Sequence, residues 1–268
     1  METIRAILLA IIQGITEFLP VSSSAHLILV PKLFGWEDQG LAFDVAVHIG
    51  TLLAVIVFLR REIAAIIPAW LGGFRGFVWN EWGKLGWWVI LATLPIAIVG
   101  LFGKSFIEQQ LREPWVIAGA TAVFAILLFY SDRNASENKR DLNGMTLVHA
   151  LIFIGIAQAF ALIPGTSRSG VTMTMALFLG YKRDAAAKFS FLLAVPTILF
   201  GGLFIAKDLV AQGFHDQWFS LIVATLVSAV FALLCMQWFM RLLHTFGMSP
   251  FVYYRILLAI VIVLVFYL

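Results

Sequence analysis

Long apolar runs follow one another along this chain with almost no polar connection between them, and that rhythm leaves few folds open. Windows near 44–60, 85–103, 114–130, 185–206, 218–240 and 250–268 are each long enough and apolar enough to cross a membrane. Two further apolar segments, 3–34 and 146–179, are interrupted near their middles by PVSSSAH and PGTSRSG. Each of their halves is short for a hydrocarbon core of about 30 Å. At membrane depth, backbone leaves helical bonding only where protein or trapped water surrounds it. Both segments are therefore predicted to be re-entrant hairpins, a short helix in and a short helix out.

The expected fold is an all-α polytopic membrane protein with six transmembrane helices plus two re-entrant helical hairpins in an inverted-topology repeat. It forms a single integral membrane domain over 1–268. Its halves, about 1–130 and 146–268, are joined by the polar loop 131–145, SDRNASENKRDLNGM. Charged residues make up 12% of the chain, about half of what a soluble domain carries. The net charge of +3 does not point to nucleic acid, because the basic residues gather at the ends of apolar runs. With residues 1–43 starting outside, Arg60, Arg61, Arg75, Lys84, Arg133, Lys139, Arg140, Lys182, Arg183, Lys188, Arg241 and Arg255 fall inside. Arg5, Lys32, Lys104, Arg112 and Lys207 fall outside. That bias places both termini outside. The tryptophans of segment 70–88 read as an interfacial belt with an amphipathic helix. The single cysteine, Cys235, excludes a disulfide framework within the chain. His149, His215 and His244 read as interfacial residues.

The halves resemble each other. AIIQGITEFLPVSSSAH pairs with GIAQAFALIPGTSRSG, and LLAV at 52–55 returns at 192–195. Three spans between the hairpins turn the second half upside down, so the two polar tips meet near the midplane. Transporters with broken helices share this plan. Polar groups at that depth are costly and mark a functional site.

Those groups form a chemically coherent set. Gln13 and Glu17 are four apart and share a helix face. Pro20 ends that helix or starts the next, and Ser22, Ser23 and Ser24 suit a helix N-terminus, where free N–H groups bind anions. His26 follows Ser23 by three. In the second tip Gly165 permits a tight turn, and Thr166, Ser167, Ser169 and, one turn on, Thr172 offer hydroxyls. Arg168 offers a planar fork of donors suited to phosphate or carboxylate. Two helix starts, one arginine, several hydroxyls and an acid point to phosphate. Asp44 and His48 lie where they can flank the cleft, with a structural role favoured.

At these residues the chain resembles the bacterial undecaprenyl-diphosphatase family, the membrane phosphatases associated with bacitracin resistance. QGITE at 13–17, FLPVSSSAH at 18–26, PGTSRSGVT at 164–172 and FSFLLAVP at 189–196 carry the resemblance. It implies hydrolysis of undecaprenyl diphosphate to the monophosphate carrier used in peptidoglycan and other cell-wall glycan synthesis. It also implies a divalent cation, Mg²⁺ or Ca²⁺, a bacterial inner-membrane location, and a site opening to the periplasmic face. The family pattern places Glu or Gln at the position of Gln13, which shifts the burden of metal contact to Glu17. The expected machinery is Glu17, Ser23, His26 and Arg168 as catalytic residues, with Gln13, Ser22, Ser24, Gly165, Thr166, Ser167, Ser169 and Thr172 around the substrate. Ser23, His26 and water all stand as nucleophiles. The expected partners are a polyprenyl diphosphate and membrane lipid; a homodimer is allowed. The rival reading is a lipid-phosphate flippase or anion transporter using the same cradle.

Overall fold

The structure is a computed structural model that describes residues 2–37, 39–76, 78–133, 135–212 and 218–267. Within these, the side chains at 2, 3, 104, 108 and 204–212 lie outside the description. Eleven α-helices account for most of the described residues, and no strand occurs among them. They are α1 (Glu2–Thr16), α2 (Ser23–Phe34), α3 (Gly40–Phe58), α4 (Arg60–Gly76), α5 (Glu81–Gln110), α6 (Pro114–Arg133), α7 (Ile156–Ala159), α8 (Arg168–Phe178), α9 (Arg183–Gln212), α10 (Trp218–Phe246) and α11 (Ser249–Tyr267). Wide π-turns over Val148–Gly155 precede α7, and a tight turn over Phe160–Leu162 closes it. Six described helices, α3, α5, α6, α9, α10 and α11, are long and apolar enough to cross a membrane. The protein is a multi-pass membrane protein. These helices match the six predicted windows, with ends displaced by a few residues. His215 lies outside the described residues.

The short helices α1 and α2 flank one break, and α7 and α8 flank the other. Proline and glycine explain the breaks: Pro20 withholds an N–H, and Gly165 sits at φ +94°. A Cβ at Gly165 would also run into the Ile117 carbonyl.

Packing relates the halves by a pseudo-twofold. In the first half α1 and α3 pack on α10; in the second α7 and α9 pack on α5. Helices α6 and α11 pack on each other at the centre. Ala25 and Leu29 of α2 pack with Leu258 and Ile262 of α11, as α8 packs on α6. Small residues permit the close crossings. A Cβ on Gly14 would stand 2.6 Å from the Ser228 carbonyl, and one on Gly50 would collide with that of Thr225. At the same crossing Ser228 Oγ donates to Val47 O at 2.8 Å, and Thr225 Oγ1 to Ala46 O at 3.0 Å. Small side chains and hydroxyls serve helix association in lipid, where burying apolar surface gains little.

Segment 70–88 divides between two helices, and one charge changes its role. Helix α4 ends at Gly76, and α5 begins behind Asn80, whose side chain accepts from Gly83 N at 2.9 Å. Trp70, Phe74, Trp79 and Trp87 pack edge to face into one cluster, with Trp79 Nε1 donating to Trp70 O at 3.0 Å. Arg255 is not an orienting charge at a helix end. It is wholly buried, so it leaves the inside set.

The connection 131–145 is held down. Asp132 receives Arg183 Nε at 2.6 Å and the Met248 N–H at 2.9 Å, tying α6, α9 and the turn before α11 together. Asn138 Nδ2 donates to Leu177 O and Tyr181 O. Cys235 is buried, its thiol directed at Ile15 O.

Candidate active site

The two breaks meet. Ser169 Oγ of the second donates to Leu19 O of the first at 2.8 Å. Between them opens a cleft of about 580 Å³. Its polar lining includes Glu17, Ser22, Ser23, Ser24, Ser167 and Arg168, and Asp44 and His48 stand on its α3 side. Apolar walls rise above, with Leu52 and Ile96 among them on one side and Ile198, Leu199 and Leu203 of α9 on another.

Glu17 is the hub. Its Oε2 accepts from Ser23 Oγ at 2.9 Å and from Gln13 Nε2 at 2.9 Å. Its Oε1 accepts from Arg168 Nη2 at 3.4 Å. Arg168 Nη1 also donates to Ser190 O at 3.0 Å, and the residue lines the cleft. Acid and guanidinium are both largely buried, at 8% and 11% side-chain exposure, so the ion pair is weakly screened. Helical spacing places Gln13 beside Glu17. The arginine arrives from a segment 151 residues away.

Both outgoing helices begin at the cleft with the same unusual backbone. Ser22 precedes α2 at φ 73° and Ser167 precedes α8 at φ 69°, the only described non-glycine residues with positive φ. In each tip the hydroxyl of this serine pairs with that of the residue two further on, Ser22 with Ser24 and Ser167 with Ser169, both at 3.1 Å. Ser167 Oγ also caps α8 by accepting from Gly170 N at 3.1 Å. Conformations of this kind cost about 1–3 kcal/mol each and gather at functional sites. Their effect here is to turn two helix N-termini toward one space. That arrangement favours an anion.

The remaining predicted residues divide. Thr166 is buried and its hydroxyl has no partner among the described residues. Thr172 lies behind the cleft, its hydroxyl donating to Arg168 O and Ser190 Oγ, both at 2.8 Å. It steadies the arginine's backbone and is not part of the lining. His26 is not brought to Ser23 or Glu17. Its Nδ1 donates to Ser22 O at 2.7 Å, so its Nε2 is left to accept from the Tyr254 hydroxyl, and the two rings stack.

One feature was half read from the sequence and two escaped it. His48, placed where it can flank the cleft but with a structural role favoured, stands on the cleft with Nδ1 on Asp44 O at 2.7 Å and Nε2 3.2 Å from Gln13 Nε2 and 3.8 Å from Glu17. Its spacing from Asp44 was visible; its distance from Gln13 in space was not. Ser190 serves Arg168 and Thr172 through FSFLLAVP, a motif read for its resemblance alone. Arg255 and Tyr254 reach the tips from the last helix, and nothing in the sequence links them to residues 20–26.

A divalent cation is implied by the resemblance, and the donors present fit one. Glu17 supplies a carboxylate, and Gln13 Oε1 beside it is buried and accepts no hydrogen bond among the described residues. Hard cations take such oxygens, and Mg²⁺ commonly combines one or two carboxylates with substrate phosphates. No cluster of three or more His, Cys, Asp or Glu suited to a metal occurs among the described residues. Such a cation would therefore lean on the phosphates themselves.

Comparison with known proteins gives the family. A family model described as Bacitracin resistance protein BacA matches residues 6–261. Undecaprenyl-diphosphatase 1 of Pseudoalteromonas translucida (strain TAC 125) is 49% identical over 97% of each chain. The undecaprenyl-diphosphatases of Saccharophagus degradans (strain 2-40 / ATCC 43961 / DSM 17024) and Hahella chejuensis (strain KCTC 2396) are each 51% identical over 96% of each chain. The match runs through both hairpins and all six long helices, and the chain belongs to the BacA family.

Proposed function

We propose that this protein hydrolyses undecaprenyl diphosphate to undecaprenyl phosphate and phosphate, recycling the lipid carrier of cell-wall glycan synthesis and conferring bacitracin resistance. One observation carries the reading beyond the family match. Ser23, Glu17 and Arg168 line one cleft together with apolar residues that include Leu52, Ile96, Ile198, Leu199 and Leu203. A diphosphate suits the polar side chains and a prenyl chain the apolar ones. The hairpins enter a bacterial inner membrane from opposite faces, and the cleft opens on the periplasmic side.

Arg168 and the N-termini of α2 and α8 hold the diphosphate and offset charge gathering on the phosphoryl oxygens. Ser23 Oγ attacks the terminal phosphorus while its proton passes to Glu17 Oε2, and the bond from phosphorus to the bridging oxygen breaks. Glu17 passes that proton to the bridging oxygen as undecaprenyl phosphate leaves. Water then attacks the phosphoserine, its proton goes to the freed Glu17 carboxylate, and Glu17 returns it to the seryl oxygen as the serine–phosphorus bond breaks and phosphate departs. Glu17 serves as base because it already holds the Ser23 hydroxyl. His26 has both ring nitrogens engaged and orients the start of α2. A divalent ion held by Glu17 and Gln13 would neutralise phosphate charge when bound.

The test is phosphate release from undecaprenyl diphosphate by purified protein in detergent, with and without chelator. Turnover that chelator abolishes and added Mg²⁺ or Ca²⁺ restores is the expected result. Lipid binding without phosphate release in any divalent ion would instead favour transport, the reading suggested by the pseudo-twofold exchange of helix partners.

A further inference from the structure

Arg255 is the largest wholly buried side chain among the described residues. No carboxylate of the described residues pairs with it, and its four hydrogen bonds among them all go to main-chain carbonyls. Nη1 donates to Pro20 O at 3.2 Å, and Nη2 to Gly165 O and Thr166 O at 3.0 Å each. Nε donates to Thr121 O of α6 at 3.2 Å. Gly170 leaves the room this requires, since a Cβ there would stand 2.9 Å from Nη1.

A broken helix leaves carbonyls without N–H partners, and in a dry interior each orphan is costly. One guanidinium satisfies carbonyls from both breaks at once. Those carbonyls belong to different hairpins, so the same planar group also fixes the gap between them. Ser23 follows Pro20 by three residues, and Arg168 follows Thr166 by two. The neighbouring Tyr254 holds His26 of the outgoing helix α2. The last helix therefore grips both tips through two adjacent side chains.

We propose that Arg255 is a positioning residue for phosphoryl transfer, setting the distance and angle between Ser23 on one hairpin and Arg168 on the other; this rests on the phosphatase reading above. An ammonium cannot reproduce the planar grip. Misplacement of about 1 Å can cost 10²-fold in rate. Arg255→Lys and, separately, Gly170→Ala, which crowds the guanidinium, should each lower kcat by about 10–100-fold. KM should stay within about threefold, and both variants should melt cooperatively. Combined with Arg168→Lys, Arg255→Lys should cost less than the sum of the two losses, because both disturb one geometry.

Wild-type protein runs alongside. Wild-type turnover with undiminished kcat in folded Arg255→Lys overturns the positioning role alone. So do strictly additive losses with Arg168→Lys, or a loss confined to KM. Failure of both Arg255→Lys and Gly170→Ala to fold makes Arg255 a stability residue and likewise overturns it. Absence of wild-type phosphate release, with the protein folded, removes the phosphatase reading and this proposal together.

Discussion

A single carboxylate holds three partners in this cleft, and its substitutions test the chemistry most directly. Glu17→Gln keeps the shape and loses the base, so phosphate release should fall by about 10²–10⁴-fold. Ser23→Ala should fall further, by at least about 10³-fold, and should accumulate no phosphoserine under acid quench. Residual turnover near wild type in Ser23→Ala would make water the nucleophile. Gln13→Glu adds a second carboxylate where an amide oxygen now sits without a partner among the described residues. The divalent concentration giving half-maximal activity should drop, and an unchanged value would remove Gln13 from the ion's surroundings. At this scale much was legible in the sequence. Glu17, Ser23 and Arg168 stood out because polar groups in an apolar run need a reason. Arg255 did not, for a physical cause. An arginine near the start of an apolar helix looks like an orienting charge, and its true partners are carbonyls, which every residue possesses. The partners of His26 were hidden for another reason: closeness to Ser23 in sequence says nothing about which way the ring turns once Tyr254 is beside it.

Among the elements, the breaks matter more than the spans. The six long helices were readable from length and hydropathy alone, because lipid demands both. The breaks were readable as proline, glycine and serine clusters, but not their shared backbone at Ser22 and Ser167. Gly165→Ala tests how much the second break depends on its turn. A side chain at φ +94° is strained, and its Cβ meets the Ile117 carbonyl. Stability should drop by about 1–3 kcal/mol, and activity should fall with it as Arg168 shifts. An unaltered melting temperature and rate would show that the turn adapts. The pair Asp132–Arg183 belongs to this scale too, since it joins three elements. Asp132→Ala should cost about 3–5 kcal/mol by leaving a half-buried guanidinium and the Met248 N–H without their acceptor. Thermal unfolding in detergent measures it, and phosphate release below the new melting point should stay near wild type.

Across the whole molecule, the halves share a plan of long helices and divide the chemistry. The acid and the serine come from the first hairpin, the arginine from the second. Neither half owns a complete site, although each owns a break, a strained serine and three long helices. A chain severed in the connection 134–147 and expressed as two fragments should therefore be silent piece by piece. Together the fragments should regain phosphate release, because helix partners are exchanged across the divide and each piece lacks the surface the other supplies. Two copies of the first fragment should not substitute for the missing second. The enzyme is in this sense an internal heterodimer: two pieces of one chain, each holding what the other needs.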